Sequence, residues 1–121
     1  MALAAAGCAP VTACPPGLQA WSVAELLFGR NKGEALVVSD ADWAAFAADT
    51  LTPNFPDGLT VLDGAGQWRS PRGLEREPMK MVIIATPELA MDRIERVIAA
   101  YRQRFGQDSV GLFTGPRCVR F

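Results

Sequence analysis

Hydrophobic residues along the chain form runs of two kinds, some with strand-like and some with helix-like spacing. The first run, Trp21–Arg30, carries apolar residues at both odd and even positions and predicts a β-strand. A helix is predicted at about Asp40–Leu51, because Ser39 is a good N-cap and apolar residues then recur at helical spacing. Thr52 and Pro53 should end this helix, since a residue before proline disfavours the helical conformation.

A β-hairpin is predicted in the middle of the chain. Leu59–Leu62 is a β-prone run, Gly64–Gly66 should interrupt it as a bulge or tight bend, and Gln67–Arg69 resumes the strand. The turn is predicted at Ser70–Gly73, where proline at the second position and glycine at the fourth are typical of a β-turn. The next strand should run from Leu74 to Ala85, and its second half is apolar on both faces, as in a central strand.

The last third of the chain predicts a helix followed by a strand. Thr86–Glu88 has the N-cap, the proline and the acid of a helix start, and Gly106 is the predicted C-cap. The last strand should cover Ser109–Phe113, break at Gly115–Pro116 and resume at Arg117–Phe121. The element order therefore predicts an α+β fold: a ferredoxin-like β-α-β-β-α-β sandwich, with an antiparallel sheet and two helices on one face.

The other face of this sheet has no predicted cover. The first and third strands are apolar on both faces, for example at Leu26 and Leu27 and at Val82 and Ile83. An uncovered apolar face of that size is uncommon in a monomer. We therefore expect a homodimer that packs sheet to sheet through the open face, or a small apolar or anionic ligand bound there.

The N-terminal residues resemble the end of a bacterial lipoprotein signal. Ala5-Ala6-Gly7-Cys8 fits a lipobox, in which Cys8 would be lipidated and become the first residue after cleavage. A positively charged region is missing, and the apolar run is shorter than the roughly 7–15 residues that are usual. We expect residues 1–20 to be a residual signal and tether, and residues 21–121 a single domain. The alternative is an ordinary N-terminal tail without a lipid.

Two further cysteines are placed to form a disulfide. Cys14 precedes the first strand and Cys118 lies near the end of the last, and these two strands should be antiparallel neighbours. An exported protein meets an oxidising compartment, which permits a Cys14–Cys118 disulfide. Two free thiols are the alternative. The expected location is the bacterial cell envelope, on the periplasmic side, with the lipid anchor as the only membrane contact.

Composition and motifs argue against several classes of protein. The 121 residues suit one domain, and the net charge of -1 argues against a nucleic-acid surface. Histidine is absent, and the three cysteines lack the short spacing of a zinc site. No phosphate-binding loop, dinucleotide fingerprint or serine nucleophile motif occurs in the sequence. We therefore expect no metal and no cofactor.

A small set of polar and aromatic side chains could form a site. Glu25 lies on an apolar strand face, where a carboxylate needs a partner, a proton or water, and with Glu77 it is a candidate acid/base pair. The candidate binding residues are Arg30, Gln67, Trp68, Arg69 and Tyr101. In this interpretation one arginine, Arg69, clamps an anion and the two aromatic residues are walls. The alternative is a structural ion pair at the sheet edge with packing aromatic residues.

Several separated strings in the chain resemble one family. They are AELLFGR at Ala24–Arg30, DADWAAF at the first helix, TPNFPDGLTVLDGAGQWR at Thr52–Arg69 and LERE at Leu74–Glu77. Together they resemble the family of small bacterial proteins known as DUF3574, a domain of unknown function, over about Cys14–Phe121. The resemblance implies an exported or lipid-anchored protein, and it supplies no catalytic residue.

Two functional hypotheses follow from these observations. The first is an envelope (lipo)protein that acts as a non-enzymatic binding or assembly module through the open sheet face. The second is a small-molecule enzyme of the dimeric α/β-barrel type, with an apolar pocket and carboxylate acid/base groups. A closed cavity between paired sheets, lined by Glu25, Trp68 and Glu77, would favour the enzyme, and a flat, fully packed interface would favour the module.

Overall fold

The computed structural model describes residues 13–121. The elements in chain order are β1 (Gln19–Gly29), β2 (Asn31–Lys32), β3 (Ala35–Leu36), α1 (Asp40–Phe46), a π-helical segment (Ala47–Leu51), α2 (Thr52–Asn54), β4 (Thr60–Ser70), β5 (Gly73–Thr86), α3 (Met91–Phe105) and β6 (Gly111–Val119). The four long strands form one antiparallel sheet in the order β4-β5-β1-β6, and β2 pairs with β3 in a small ribbon. The predicted ferredoxin-like α+β fold is confirmed.

The helices lie on one face of the sheet, and the hydrophobic core lies between the helices and that face. Every second residue in the second half of β1 is buried there, at Ala24, Leu26 and Phe28, and the corresponding positions of β5 are Val82 and Ile84. The helical side contributes Trp43, Phe46, Leu51, Ile94, Val97 and Tyr101 to the same cluster. The alternate residues of the strands therefore point to the other face of the sheet, which the helices do not cover.

The first helix begins as predicted. Ser39 Oγ accepts the Asp42 N–H at 3.0 Å and Asp42 Oδ2 accepts the Ser39 N–H at 3.0 Å, which completes a capping box. The predicted end before Thr52 is wrong, because the helix widens into the π-helical segment and continues through α2. The Thr52 N–H donates to Ala47 O, five residues back, and Pro53 then stands at the start of α2, where proline needs no donor.

The two predicted interruptions of the strands are also wrong. β4 pairs with β5 without a bulge at Gly64–Gly66, because these glycines make room for a neighbouring side chain: a Cβ on Gly66 would lie 3.2 Å from Met79 Sδ. β6 continues through Gly115–Pro116. An edge strand tolerates proline, since one row of its backbone groups has no partner strand.

The second long helix, α3, begins later than predicted. Thr86 still pairs with Ser22 in the sheet, and its hydroxyl donates to Glu88 O at 2.6 Å. That hydroxyl is therefore not the N-cap, and the cap position is Ala90, which has no side-chain cap. The predicted C-cap is confirmed, because Gly106 has a φ of 62°, in the left-handed region that favours glycine.

The predicted disulfide is present and ties the start of the described chain to β6. Cys14 and Cys118 are bonded, with their Cα atoms 5.5 Å apart, and Ala20 of β1 stands opposite Cys118 in the sheet. The predicted lipidation site, Cys8, lies outside the described residues, as does most of the predicted tether. In the described part of the chain, no helix is long and apolar enough to cross a membrane.

Candidate functional site: the open sheet face and its end groove

The uncovered side of the sheet, which we call the open sheet face, carries apolar side chains from all four strands. Strand pairing puts Leu62 on the same face as Met81 and Leu27, and puts Phe113 opposite Glu25. The central members of this face are Val23, Glu25 and Leu27 of β1, Met79, Met81 and Ile83 of β5, Leu62, Gly64, Gly66 and Trp68 of β4, and Gly111, Phe113 and Gly115 of β6. Glu25 is the ionisable residue among these thirteen. Towards the two ends the same face also carries Glu75 and Glu77 of β5 and Arg117 of β6.

Glycines on this face let long side chains lie flat across it. Met79 packs over Gly64 and Gly66, with its Cε 3.3 Å from where a Cβ on Gly66 would be. Leu27 covers Gly111 in the same way, with its Cβ 3.2 Å from the equivalent point. The face is therefore low in relief over much of its area, which suits contact with another flat surface.

A groove of about 590 Å³ lies at one end of the open sheet face. It is bounded by the tip of the β4–β5 hairpin, by the turn after β1 and by the loop between α3 and β6. Its polar lining includes Lys32, Arg72, Glu77 and Gln107, and its large aromatic wall is Trp68. The groove thus combines charges of both signs with one exposed indole.

Glu77 is the half-buried carboxylate of this groove, and the backbone of the β1–β2 connection holds it. Its Oε2 accepts the Asn31 N–H at 2.7 Å. Its Oε1 lies 2.2 Å from where a Cβ on Gly29 would be, so a side chain at position 29 would displace the carboxylate. Burial raises the pKa of Glu77, and hydrogen bonds from the backbone of Asn31 and Arg30 oppose that rise.

The raised pKa gives Glu77 a specific pH signature. Because folding raises this pKa above its ordinary value of 4.5, the contribution of Glu77 to stability is fully present below pH 4.5 and is lost as the pH rises through the folded-state value. Glu77→Gln keeps an oxygen acceptor for the Asn31 N–H but does not titrate. From about pH 4 to about pH 7, the wild type should therefore lose stability relative to this variant, as measured by urea unfolding.

The comparison with the variant separates the effect of Glu77 from that of carboxylates whose pKa is lowered by folding. Hydrogen bonds from Lys80 and Ser70 lower the pKa of Asp63 and of Glu75, so these two groups stabilise the fold above their ordinary pKa values. They are present in both proteins and cancel in the difference. A difference in unfolding free energy that stays constant with pH, or grows in favour of the wild type, would contradict the burial of the Glu77 charge.

Glu25, the second predicted carboxylate, lies elsewhere. It borders a separate shallow pocket of about 240 Å³ with Val23, Phe113 and Arg117, and it does not line the groove that holds Glu77. Along β1, Glu25 is four residues before Gly29, over which the Glu77 carboxylate lies, so the separation is about 13 Å. The structure does not bring the two carboxylates together as an acid/base pair.

Arg30 and Tyr101 lie in or beside the core and not in the groove. Arg30 is buried; its Nε donates to Val38 O at 2.9 Å and its guanidinium pairs with Asp40 at 2.7 Å, which fixes the link from β1 to α1. Tyr101 is fully buried, and its hydroxyl donates to Gly29 O at 2.7 Å. Burial raises the pKa of Tyr101, so this hydroxyl stays protonated and supports the strand end beneath the groove.

The three residues predicted on β4 divide between the two faces of the sheet. Trp68 lines the groove, while Gln67 and Arg69 point to the opposite face because side chains alternate along a strand. Gln67 Oε1 accepts the Arg76 Nε–H at 3.2 Å on that side. The cationic groups that do line the groove are Lys32 and Arg72, which the sequence did not single out.

One signal in the sequence could have located these cations. The turn at residues 70–73 sets the hairpin register, which puts Trp68 opposite Glu75 and Gly66 opposite Glu77. Arg72, at the tip, lies 3.5 Å from where a Cβ on Gly33 would be, so the hairpin tip reaches the turn that carries Lys32. Among residues 13–121, no group of three or more His, Cys, Asp or Glu is placed to hold a metal ion.

The fold and this arrangement define a class of protein: a small ferredoxin-like α+β domain with helices on one face of its sheet and an open apolar face on the other. The chain belongs to the family described as protein of unknown function (DUF3574), whose sequence model matches residues 23–121. The family resemblance drawn from the separated strings is therefore confirmed. No curated protein matches the chain in sequence.

Solved structures with a similar fold have low sequence identity to this chain. A phage SAM lyase in complex with S-methyl-5'-thioadenosine has a TM-score of 0.63 and 16% identity, over 84% of this chain and 90% of that one. CPII, a nitrogen regulatory PII-like protein from Thiomonas intermedia K12 bound to ADP, AMP and bicarbonate, has a TM-score of 0.50 and 20% identity, over 84% and 97%. At these identities the likeness shows the fold alone.

Proposed function

We propose that this protein is a non-enzymatic binding and assembly module of the bacterial cell envelope that pairs with a second copy of itself through the open sheet face. The observation that carries the proposal is the exposure of large apolar side chains on that face. Phe113 is 59% exposed, Leu62 47% and Trp68 41%. Fully burying a large apolar side chain contributes roughly 1.5–3 kcal/mol, and each of these half-exposed side chains would contribute about half of that to a dimer.

The make-up of the face favours a second copy as its partner. Glycines and flat-lying side chains give it low relief, and an isologous interface needs a surface that is complementary to itself. The central part of the face, between Met79 and Val23, carries one carboxylate, Glu25, and so has little charge to desolvate, as in the apolar interfaces of homodimers. The sheet faces of two copies can therefore stack at about the 10 Å spacing usual for packed sheets.

The positions of the candidate groups support a module and not an enzyme. Glu77 accepts a backbone N–H and covers a glycine, which is the environment of a structural carboxylate. Glu25 lies in another pocket, and Tyr101 and Arg30 are held in the core. Within one copy of the chain, these residues therefore do not form the pair of carboxylates that the enzyme hypothesis requires.

The proposed location is the periplasmic side of the cell envelope, with a lipid on Cys8. It is supported by the lipobox-like string that ends at Cys8 and by the Cys14–Cys118 disulfide, since disulfides persist in oxidising compartments. A free Cys8 thiol in protein taken from the membrane fraction of its host would contradict this lipid-anchored location.

Leu62→Glu is expected to break the proposed dimer. The chain offers a matched control, because Leu62 on the open sheet face and Leu89 in the loop before α3 are both 47% exposed. Leu62→Glu should raise the dimer dissociation constant about 100-fold or more, since both copies lose an apolar contact and gain a charge. Leu89→Glu should leave it unchanged. Sedimentation equilibrium over a range of concentrations measures both constants.

Two outcomes would contradict the proposed pairing. One is a wild-type protein that sediments as a monomer at tens of micromolar, a concentration at which an apolar interface of ordinary size is occupied. The other is an equal effect of Leu62→Glu and Leu89→Glu, which would place the contact outside the open sheet face.

A further inference from the structure

The end of the sheet opposite the groove carries an exposed aromatic pair. Trp21, near the start of β1, and Phe121, just beyond β6, have ring centroids 5.5 Å apart, and Phe121 is 94% exposed. With Gly17 and Arg120 the two rings line a shallow cleft. Unlike Trp43 and Phe46, these rings contribute little to the core, so core packing does not explain their position.

The strands that form this end bring positive charge to the aromatic pair. Arg117 stands opposite Trp21 in the β1–β6 pairing, and Arg120 follows two residues after Cys118. Residues 13–24 and 109–121 contain these two arginines and no aspartate or glutamate. Two acidic residues lie nearby: Glu25 of β1 borders the same pocket as Arg117, and Glu88 follows β5. On β1 and β6 the charged side chains nearest to the aromatic pair are the two arginines, Arg117 and Arg120.

The disulfide fixes where a lipid anchor would leave the domain. It bonds Cys14 to Cys118 beside the aromatic pair, and only residues 9–13 lie between Cys14 and Cys8. Six Cα steps span at most about 22 Å when fully extended. A lipid on Cys8 would therefore hold this end of the sheet within that distance of the bilayer.

We propose that Trp21, Phe121, Arg117 and Arg120 form a contact surface for an anionic lipid membrane, which we call the basal patch. The proposal rests on the location in the cell envelope proposed above. Aromatic rings with an apolar body and a polar edge favour the membrane–water interface, and each arginine near an anionic surface adds attraction. A lipid chain and a charged patch together are the two signals that make membrane anchoring stable.

This contact would orient the whole domain. β1 runs from Trp21 at the basal patch to Gly29 at the groove, eight residues or about 26 Å away. With the basal patch on the lipid, the groove opens away from the membrane. The open sheet face is then parallel to the membrane normal and can pair with a second copy.

The test uses the full chain with Cys8→Ser, which can carry no lipid, so that vesicle binding reports the protein surface alone. The oxidised protein is sedimented at low salt with vesicles of phosphatidylcholine, or with vesicles in which roughly one-third of the lipid is phosphatidylglycerol. Binding is expected to the anionic vesicles only and should weaken as salt is added, because salt screens the arginines. Arg117→Gln with Arg120→Gln should reduce the partition coefficient roughly 10- to 30-fold.

Matched variants separate the basal patch from the rest of the surface. Phe121→Ser removes a ring that is almost fully exposed, so it should leave the fold intact and still reduce binding several-fold. Leu74→Ser and Arg69→Gln, at the other end of the sheet and outside the open sheet face, should leave binding unchanged. Leu62→Glu should abolish pairing and keep vesicle binding, so that a failure of the dimer and a failure of the membrane contact are distinguishable.

Three results would contradict the proposal that the basal patch contacts an anionic membrane. The first is no binding of the wild-type surface to anionic vesicles. The second is equal binding to neutral and anionic vesicles, and the third is a loss on Leu74→Ser and Arg69→Gln as large as that on the basal variants.

Discussion

Phe46→Ala is expected to lower the free energy of unfolding by about 3–5 kcal/mol, the usual cost of deleting a buried aromatic ring and leaving a cavity. Phe46 is fully buried at the end of α1. Its ring centroid lies 5.1 Å from that of Tyr101 and 6.0 Å from that of Phe28, with edge-on or tilted geometry. These contacts join the helix to β1 and to α3, so the lost ring would loosen all three elements.

Phe121→Ala provides the matched control, since the same atoms are removed from a ring that is 94% exposed. Its cost in urea unfolding should stay below about 1 kcal/mol, because only the contact with Trp21 is lost. Equal losses for the two variants would show that the cluster around Phe46 does not carry the stability assigned to it.

Short-range chemistry in the sequence predicted much of this fold. The capping box at Ser39 and Asp42, the turn at residues 70–73 and the C-cap at Gly106 are all determined by residues within four positions of each other. Each of these signals satisfies backbone groups locally, so the rest of the chain has little influence on it. The element order follows from them, and with it the fold class.

The errors arose where pairing with a distant segment overrides a local signal. Gly64–Gly66 forms no bulge because Met79, from the next strand, fills the space above it. Pro116 does not break β6 because that strand has a neighbour on one side only. Thr86 resembles an N-cap in sequence, but pairing with Ser22 keeps it in the sheet. None of these neighbours is adjacent in sequence.

The site was harder to predict, since strand alternation gives the face of a residue but not its position along the sheet. Glu25 and Glu77 do share a face, yet strand pairing puts Glu77 over Gly29, four residues beyond Glu25. Arg30 and Tyr101 were ambiguous for another reason. Long side chains with one polar end can fill a core when that end finds a buried partner, here Val38 O and Gly29 O.

The disulfide links the stability of the domain to its proposed location in an oxidising compartment. Cys14 and Cys118 are 104 residues apart, so the bond closes nearly the whole domain into one loop and restricts the unfolded chain strongly. For a loop of this length, the chain-entropy estimate is a stabilisation of about 4–5 kcal/mol. Cys14→Ser with Cys118→Ser should therefore lower the free energy of unfolding by up to that amount, as measured by urea denaturation of oxidised protein.

Reduction and a third cysteine provide the controls. Dithiothreitol should destabilise the wild type to about the level of the double variant and should leave the double variant unchanged, because no disulfide remains in it to be reduced. Cys8→Ser should have no effect on stability, since Cys8 is not part of the bonded pair. A wild type whose unfolding is insensitive to dithiothreitol would contradict the stabilising role of the bond. Sensitivity confined to the wild type and Cys8→Ser would show that the domain needs an oxidising compartment to reach its full stability.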